Sequence, residues 1–296
     1  MSECLVCDLG FSSLKWVYGE KRGRIVSALS NGGGGGERVV GEEALATVSG
    51  NTYLRTIEDL LLHYPVFAKE AMKESGASED AKLVVGLPYG VWRSDKDSDT
   101  GLVANLERSL RGEGFGEVEV LPQGLGGVRL YLEDAADAAG NVLGVDIGFN
   151  TVIFTLYSPK LKKIIYGDTM YKRGVHQMTT KHLLPRIQRL APSRTFSPVV
   201  LGYIVERGTV SYGMDTIDIR EEITAAAEEY FQEVMHEIIS ELRGHVEEGG
   251  HFTDAVFFGG GAALLKDFLQ SSKVKVVVMD DPCFANAQGF RLVAGG

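Results

Sequence analysis

One short pattern of acidic, glycine and small polar residues occurs twice in this chain. Asp8-Leu9-Gly10-Phe11-Ser12-Ser13-Leu14 recurs as Asp146-Ile147-Gly148-Phe149-Asn150-Thr151-Val152. Each copy is an apolar run, an Asp, a Gly, a small polar pair and another apolar run. That order describes a tight β-hairpin whose backbone N–H groups can face a phosphate. The glycine allows close approach, and the Asp supplies a carboxylate for a metal-bound water. A single such turn is an ordinary loop signal, but two matched copies, one in each half of the chain, point to a duplicated phosphate clamp.

A third element is Phe257-Phe258-Gly259-Gly260-Gly261-Ala262-Ala263-Leu264, in which a strand meets a helix through three glycines. Backbone without side chains is needed where it lies against a flat base or ribose; tight strand–helix packing is the alternative reading. The other glycine clusters read differently. Gly32 to Gly36 is followed by Glu37-Arg38 rather than Lys-Ser or Lys-Thr, which suits a mobile outer loop and not a P-loop. The run from Gly112 to Glu117 follows a helix and precedes a strand, the reverse of the dinucleotide-binding order, and reads as a connector. Cys4 and Cys7 sit three apart in CLVCDL, so on a strand they face opposite ways and serve as small buried hydrophobes. The six histidines lack metal-ligand spacing.

Regular elements must carry these groups. Three β-like runs, CLVCDLG, LKWVYG and GRIVSALS, form a meander around the first hairpin. An apolar-periodic stretch from Tyr53 to about Glu74 reads as a helix ending near Gly76, and KLVVGLP from Lys82 as a buried strand stopped by Pro88. A helix around 100–111, the strand EVEVLP and a helix through VRLYLEDAADAA complete the first half. A second meander, NVLGVDIGFN, TVIFTLYS and KKIIYGD, surrounds the second hairpin and leads to a helix near 174–190. From Ile219 to Leu242 the residues Ile223, Ala227, Tyr230, Phe231, Val234, Ile238 and Leu242 recur at helical intervals, burying one face of a long helix. AVFFGG, AALLKDFL, KVKVVVM and ANAQGFRLVA then read as strand, helix, strand and closing helix. Mixed strands and helices in two similar halves imply an α/β fold with crossover connections.

The bulk properties narrow the class. A chain of 296 residues with 44% hydrophobic and 24% charged residues suits about two soluble globular domains. The net charge of −10, without a basic run, disfavours direct nucleic-acid binding. The N-terminus has no basic or long apolar leader, and no stretch approaches the roughly 20 apolar residues of a membrane span, so a cytoplasmic protein without membrane contact is expected.

On these motifs the chain resembles the actin, sugar-kinase and heat-shock-chaperone ATPase superfamily, and within it the bacterial plasmid-segregation actins of the ParM or StbA type. The resemblance covers nearly the full length. DLGFSSLK stands as first phosphate loop, VEVLPQG as first connecting segment, VDIGFNT as second phosphate loop, FFGGGAALL as adenosine segment and ANAQGF as second connecting segment. VVGEEAL and IDIREEI resemble segments of the actin-like branch. Phe11 and Phe149 depart from the family, standing where many relatives have smaller residues.

The resemblance implies an actin-like, ribonuclease-H-like duplicated two-domain fold with a nucleotide in the interdomain cleft. Domain I would comprise residues 1–124 closed by a C-terminal helix at 284–296, and domain II residues 125–283. It implies ATP or ADP as cofactor, with GTP as the alternative, and Mg2+ held by Asp8 and Asp146 through water. Gly10, Phe11, Ser12, Ser13 and Lys15, with Gly148, Phe149, Asn150 and Thr151, would form the two phosphate loops. Ser12, Ser13 and Lys15 would reach the β- and γ-phosphates; a solvent-facing strand lysine is the competing reading of Lys15. Gln123 would orient the attacking water, or be a plain loop residue after Pro122, and Asp146 would polarise that water from the other domain. Gly259, Gly260, Gly261 and Ala262 would lie against the adenosine. Arg220 and Glu221 would touch base or ribose, or form only a charged first helical turn suited to the helix dipole.

The implied activity is nucleoside triphosphate hydrolysis coupled to a dynamic filament, used for plasmid or DNA segregation or for positioning within the cell. The partners would be further copies of the chain and a DNA-bound adaptor. A small-molecule kinase or an adaptor ATPase on the same fold is the alternative.

Overall fold

A computed structural model describes residues 4–31, 38–46, 52–135, 138, 140–192, 196, 198–212, 214–245, 251–266 and 274–295; the glycine tract Gly32 to Gly36 lies outside them. The first half runs β1 (Cys4–Leu9), β2 (Ser13–Tyr18), β3 (Lys21–Val26), β4 (Ala28–Asn31), β5 (Arg38–Val40), α1 (Glu42–Ala46), β6 (Thr52–Tyr53), α2 (Ile57–Ser75), β7 (Lys82–Leu87), α3 (Tyr89–Ser98), α4 (Leu102–Gly112) and β8 (Val118–Pro122). The second runs α5 (Leu125–Asp134), β9 (Asn141–Ile147), β10 (Thr151–Ser158), β11 (Lys163–Tyr171), α6 (Val175–Gln177), a π-helical turn over Met178–Leu183, α7 (Leu184–Leu190), α8 (Pro198–Arg207), β12 (Thr209–Tyr212), β13 (Asp215–Asp218), α9 (Arg220–His245), β14 (Phe252–Phe258), a 3-10 turn over Ala262–Leu265, β15 (Lys275–Val278) and α10 (Ala285–Gly295).

The duplication seen in the motifs extends to topology. One sheet has the order β3-β2-β1-β7-β8 and the other β11-β10-β9-β14-β15. In each, the hairpin-bearing strand is central, antiparallel to its hairpin partner and parallel to the strand that returns beside it. A central strand covered on both faces must be apolar on both, and β1 is buried along its whole length. Leu5, Cys7 and Leu9 face Tyr64, Phe67 and Ala71 of α2, while Cys4 and Val6 face Ala287 and Phe290 of α10. The two cysteines are free, buried and on opposite faces. In the second sheet Leu143, Val145 and Ile147 face Ala227, Tyr230, Val234 and Ile238 of α9, and Val142 joins Val128 and Tyr131 of α5. Each fully buried Leu or Ile contributes about 1.5–3 kcal/mol relative to exposure, so these stripes anchor the helices.

Local signals set several boundaries. Thr56 and Asp59 form a reciprocal capping box at the start of α2, and Gly76 ends it at φ 72°. Other elements depart from the sequence reading. The FFGGGAALL segment enters a single 3-10 turn instead of a longer helix over its described residues, and 267–273 lie outside them. The helix expected near 174–190 contains the π-helical turn. GRIVSALS, expected as one run, divides into β3 and β4, which belong to different sheets, while the β12–β13 hairpin and α3 carry no strong local pattern. For α3 the reason is tertiary: Gly90 N donates to Thr169 Oγ1 at 2.9 Å and Arg93 Nη1 to the Gly167 carbonyl at 3.2 Å. Both partners lie on β11, so the other half of the chain holds this short polar helix in place.

The two sheets meet through α5 and α10. A Cβ on Gly289 would collide with the Gly126 carbonyl, and one on Gly126 with the Asn286 carbonyl, so the helices cross backbone to backbone. No described helix is long and apolar enough to cross a membrane.

Candidate functional site

The two hairpins close in the same way. Gly10 N donates to the Ser13 carbonyl at 3.1 Å, and Gly148 N donates to the Thr151 carbonyl at 2.9 Å. Neither glycine has a positive φ, and a Cβ on Gly10 would meet nothing nearer than 3.5 Å. Packing therefore does not require glycine at position 10; access to the space above the loop is what a side chain there would restrict. The first hairpin is braced by Ser27, whose hydroxyl donates to the Gly10 carbonyl at 2.6 Å. The second is braced by α6, with Val175 N and His176 N donating to the Gly148 and Phe149 carbonyls at 3.0 and 2.8 Å.

These hairpins face one another across a polar cleft. Its walls include Asp8, Gly10, Phe11, Ser12, Lys15 and Gln123 from the first half, and Asp146, Gly148, Phe149, Thr151, Gly259 and Gly260 from the second. Pro282, Cys283 and Asn286 complete the lining. The cavity volume is about 40 Å3, less than a nucleotide occupies. A larger hollow of about 450 Å3 between α2 and α4 is lined by Leu61, Leu62, Leu102 and Leu106 with Thr100, Asn105 and Ser109, and has no titratable group to do chemistry.

Two carboxylates dominate the cleft. Asp8 is buried, and its Oδ1 accepts a hydrogen bond from Gln123 Nε2 at 2.6 Å. Burial raises its proton affinity, with the positive charge of Lys15 and the Gln123 hydrogen bond acting in the opposite direction. Asp146 is also buried, and Asn286 Nδ2 donates to its Oδ2 at 2.6 Å. Burial, followed by repulsion from Asp8, pushes the Asp146 carboxyl up to about 7. Two buried carboxylates with a single lysine acting on both form an anion-rich pair that a cation would stabilise.

The surroundings hold these groups in place. Tyr64 of α2 is fully buried; its hydroxyl contacts the Cys7 carbonyl at 2.7 Å and accepts from Leu9 N and Gly86 N, both at 3.2 Å. This pins β1 on either side of Asp8. A Cβ on Gly86 would meet Asp8 Oδ1 at 2.8 Å and Gln123 Cγ at 3.2 Å, so bare backbone is needed beneath that pair. The three glycines after β14 separate by role. Gly259 has φ 84° and leaves no room for a Cβ beside Asp146 Oδ1; Gly260 is open; Gly261 packs under Val175 and Ile147.

Most of the expected site residues meet here. Ser13 is buried, and its Oγ has no hydrogen-bond partner among the described residues. Asn150 lies in the turn of the second hairpin and Ala262 opens the buried 3-10 turn. Arg220 and Glu221 do not line the cleft: Arg220 pairs with Asp218 and lies against Gly208, and Glu221 is exposed. Sequence reasoning missed Asn286. It lies within ANAQGF, but nothing in that motif says which side chain reaches Asp146, 140 positions earlier. It also missed the stacking of Phe149 on His176, with centroids 5.6 Å apart. Phe149 additionally packs against the first half's core, which contains Phe11.

Comparison with known proteins agrees with this architecture. Residues 144–271 match the family described as archaeal actin homologue MreB-like, C-terminal. No curated protein matches the chain in sequence. Among solved structures, the chain is similar to the 15-stranded ParM filament from Clostridium botulinum, with TM-score 0.72, 17% identity and 99% of each chain covered. It is similar to a non-polymerisable quadruple mutant of pCBH ParM, with TM-score 0.72, 18% identity and 99% of each chain covered. The archaeal actin homologue Ta0583 in complex with ADP is similar with TM-score 0.70 and 19% identity, over 98% of this chain and 99% of the other. The chain has the actin-like α/β fold.

Proposed function

We propose that this actin-like chain binds and hydrolyses ATP in the cleft between its two sheets, and that nucleotide state controls assembly of further copies into a filament. The observation that carries the reading is the convergence of Asp8 and Asp146, from duplicated hairpins, on one cleft with Lys15 opposite Asp8. In the proposed site the two loops hold the phosphates, Gly259 and Gly260 lie against the nucleoside, and Lys15 with the orphaned Ser13 hydroxyl meets phosphate oxygens. Domain I is residues 1–124 with 284–296, and domain II is residues 125–283.

Mg2+ is implied by the fold family, and the donors present fit it. Among the described residues no group of three or more His, Cys, Asp or Glu side chains is arranged to hold a metal ion by itself. Two buried carboxylates beside a phosphate site suit a cation held by one or two acids, waters and the substrate's own phosphates. Asp8 and Asp146 would hold it through water, and when bound it would neutralise charge on the phosphates.

Phosphoryl transfer to water depends on positioning and electrostatics, so the protein's part is to hold the nucleophile and spread the developing charge. Asp146 sits where it can accept a hydrogen bond from water, and its raised proton affinity makes it a better acceptor than an exposed carboxylate. In this conformer Gln123 donates to Asp8; its assigned role is to orient water once the cleft is filled. Nucleotide sites typically need roughly 300–1,000 Å3, so admission of ATP requires the halves to separate about the α5–α10 crossing. Binding then couples to domain angle, and domain angle to polymerisation. A head-to-tail contact between identical subunits that does not close into a ring yields a filament.

Likeness to ParM supports DNA segregation as the cargo process. The net charge of −10 favours contact with DNA through an adaptor over direct phosphate binding. The test is right-angle light scattering with pelleting after addition of Mg-ATP, Mg-GTP or a non-hydrolysable analogue, alongside phosphate release. A nucleotide-dependent rise that decays with phosphate release supports the proposal. Tight ATP binding without polymer at any protein concentration moves the function to a kinase or adaptor on the same fold.

A further inference from the structure

Asn286 occupies an unusual position between the two halves. It lies in the first turn of α10, whose Ala287 and Phe290 pack on Val6, Val17 and Val84 of the first sheet, yet its side chain serves the second sheet's carboxylate. It is only 3% exposed. The amide nitrogen donates to Asp146, while Oδ1 accepts from Gly124 N at 3.1 Å and Gly127 N at 3.3 Å at the start of α5. The orientation is fixed by chemistry: a flipped amide would set its NH2 against two N–H donors and its oxygen against a carboxylate.

The contrast with the first half is informative. Gln123 also donates an amide hydrogen to a hairpin carboxylate, Asp8, but β8 and β1 belong to the same sheet. Of the two amide–carboxylate pairs, only Asn286–Asp146 joins an element packed on one sheet to a strand of the other. The backbone of Asn286 is itself part of the crossing, because its carbonyl abuts Gly126. Rotation of α5 against α10 therefore carries the amide with it.

We infer that Asn286 is a positioning residue that sets the orientation of Asp146 according to the angle between the two domains, so that the carboxylate is aligned only when the cleft is closed. This rests on the proposed nucleotide hydrolysis and adds the link through which closure reaches the reacting group. Among the described residues, Asn286 supplies the side-chain hydrogen bond that reaches the Asp146 carboxylate from α10.

The test is a double-mutant cycle with Asn286→Ala, Asp146→Ala and the double variant, reading single-turnover phosphate release and affinity for a non-hydrolysable ATP analogue. Asn286→Ala should slow phosphate release by about 10- to 100-fold, the range for loss of a group that orients a reacting ligand. Analogue affinity should change less than about 3-fold, and in the Asp146→Ala background Asn286→Ala should add nothing further. A second readout uses nucleotide-free protein: the unfolding constants of the same four proteins should depart from additivity by more than about 3-fold. If Asn286→Ala does not fold, Asn286→Asp keeps the acceptor for the two α5 N–H groups while replacing the amide donor with a second carboxyl against Asp146, and it should slow phosphate release likewise. An active wild type with additive effects in both readouts, or with unimpaired release in the Asn286 variants, overturns the inference alone. A wild type that releases no phosphate overturns the reading of the site together with it.

Discussion

Lys15 stands directly opposite Asp8 in the antiparallel β1–β2 ladder, whereas the residue opposite Asp146 in the β9–β10 ladder is Ile153. The duplicated hairpins are thus alike in backbone and unlike in charge. One carries a carboxylate with a cation, the other a carboxylate alone. Under the proposed function, an anion entering the cleft would be drawn to the first hairpin, leaving the second to address water.

Replacing that cation should weaken nucleotide binding without unfolding the protein. A charge-assisted hydrogen bond contributes about 1.5–3 kcal/mol, so Lys15→Met is expected to loosen Mg-ATP by roughly 10- to 150-fold. Titration with a fluorescent ATP analogue measures this, and unchanged affinity would return Lys15 to the role of a strand lysine.

Asp146 should impose a pH dependence on stability. Its carboxyl is pushed up to about 7, so the folded nucleotide-free protein holds this proton more tightly than the unfolded chain does. The associated stability is fully present below about pH 4 and is lost as pH rises through about 7. Denaturation at several pH values should show wild type losing stability relative to Asp146→Asn across that window, by about 1 kcal/mol per pH unit at the steepest. A pH-independent difference between the two proteins would contradict the assignment.

The glycines after β14 should separate fold from function. Gly259→Ala forces a side chain into a left-handed conformation and against Asp146, and overpacking of this kind costs about 1–3 kcal/mol. Gly260→Ala meets nothing within 4 Å, so its stability should match wild type while nucleotide affinity falls. Thermal denaturation beside nucleotide titration distinguishes the two; equal stability losses would place Gly260 in the packing.

Tyr64→Phe removes the hydroxyl that serves Leu9 N and Gly86 N. Leaving buried donors unpaired costs about 1–3 kcal/mol, and the ends of β1 and β7 beside Asp8 should loosen. Urea denaturation gives the first effect, and amide hydrogen exchange at Leu9 and Gly86 gives the second.

Features that depend on near neighbours along the chain are legible in its residues alone. The paired Asp-x-Gly turns, the apolar runs that carry them and the apolar face of α9 are all written within a few residues. Each follows from backbone geometry and side-chain periodicity acting locally. Which of these groups meet follows from packing between segments far apart along the chain. The helix α3 exists where it does because β11 receives its backbone and its Arg93. Asp146 acquires its proton affinity from burial and from Asp8 on another sheet, and no feature of VDIGFNT encodes that. Asn286 reads as an ordinary residue at the start of a helix until the glycine crossing of α5 and α10 brings it to Asp146. Burial and Coulomb coupling act through space, whereas a motif records only order along the chain.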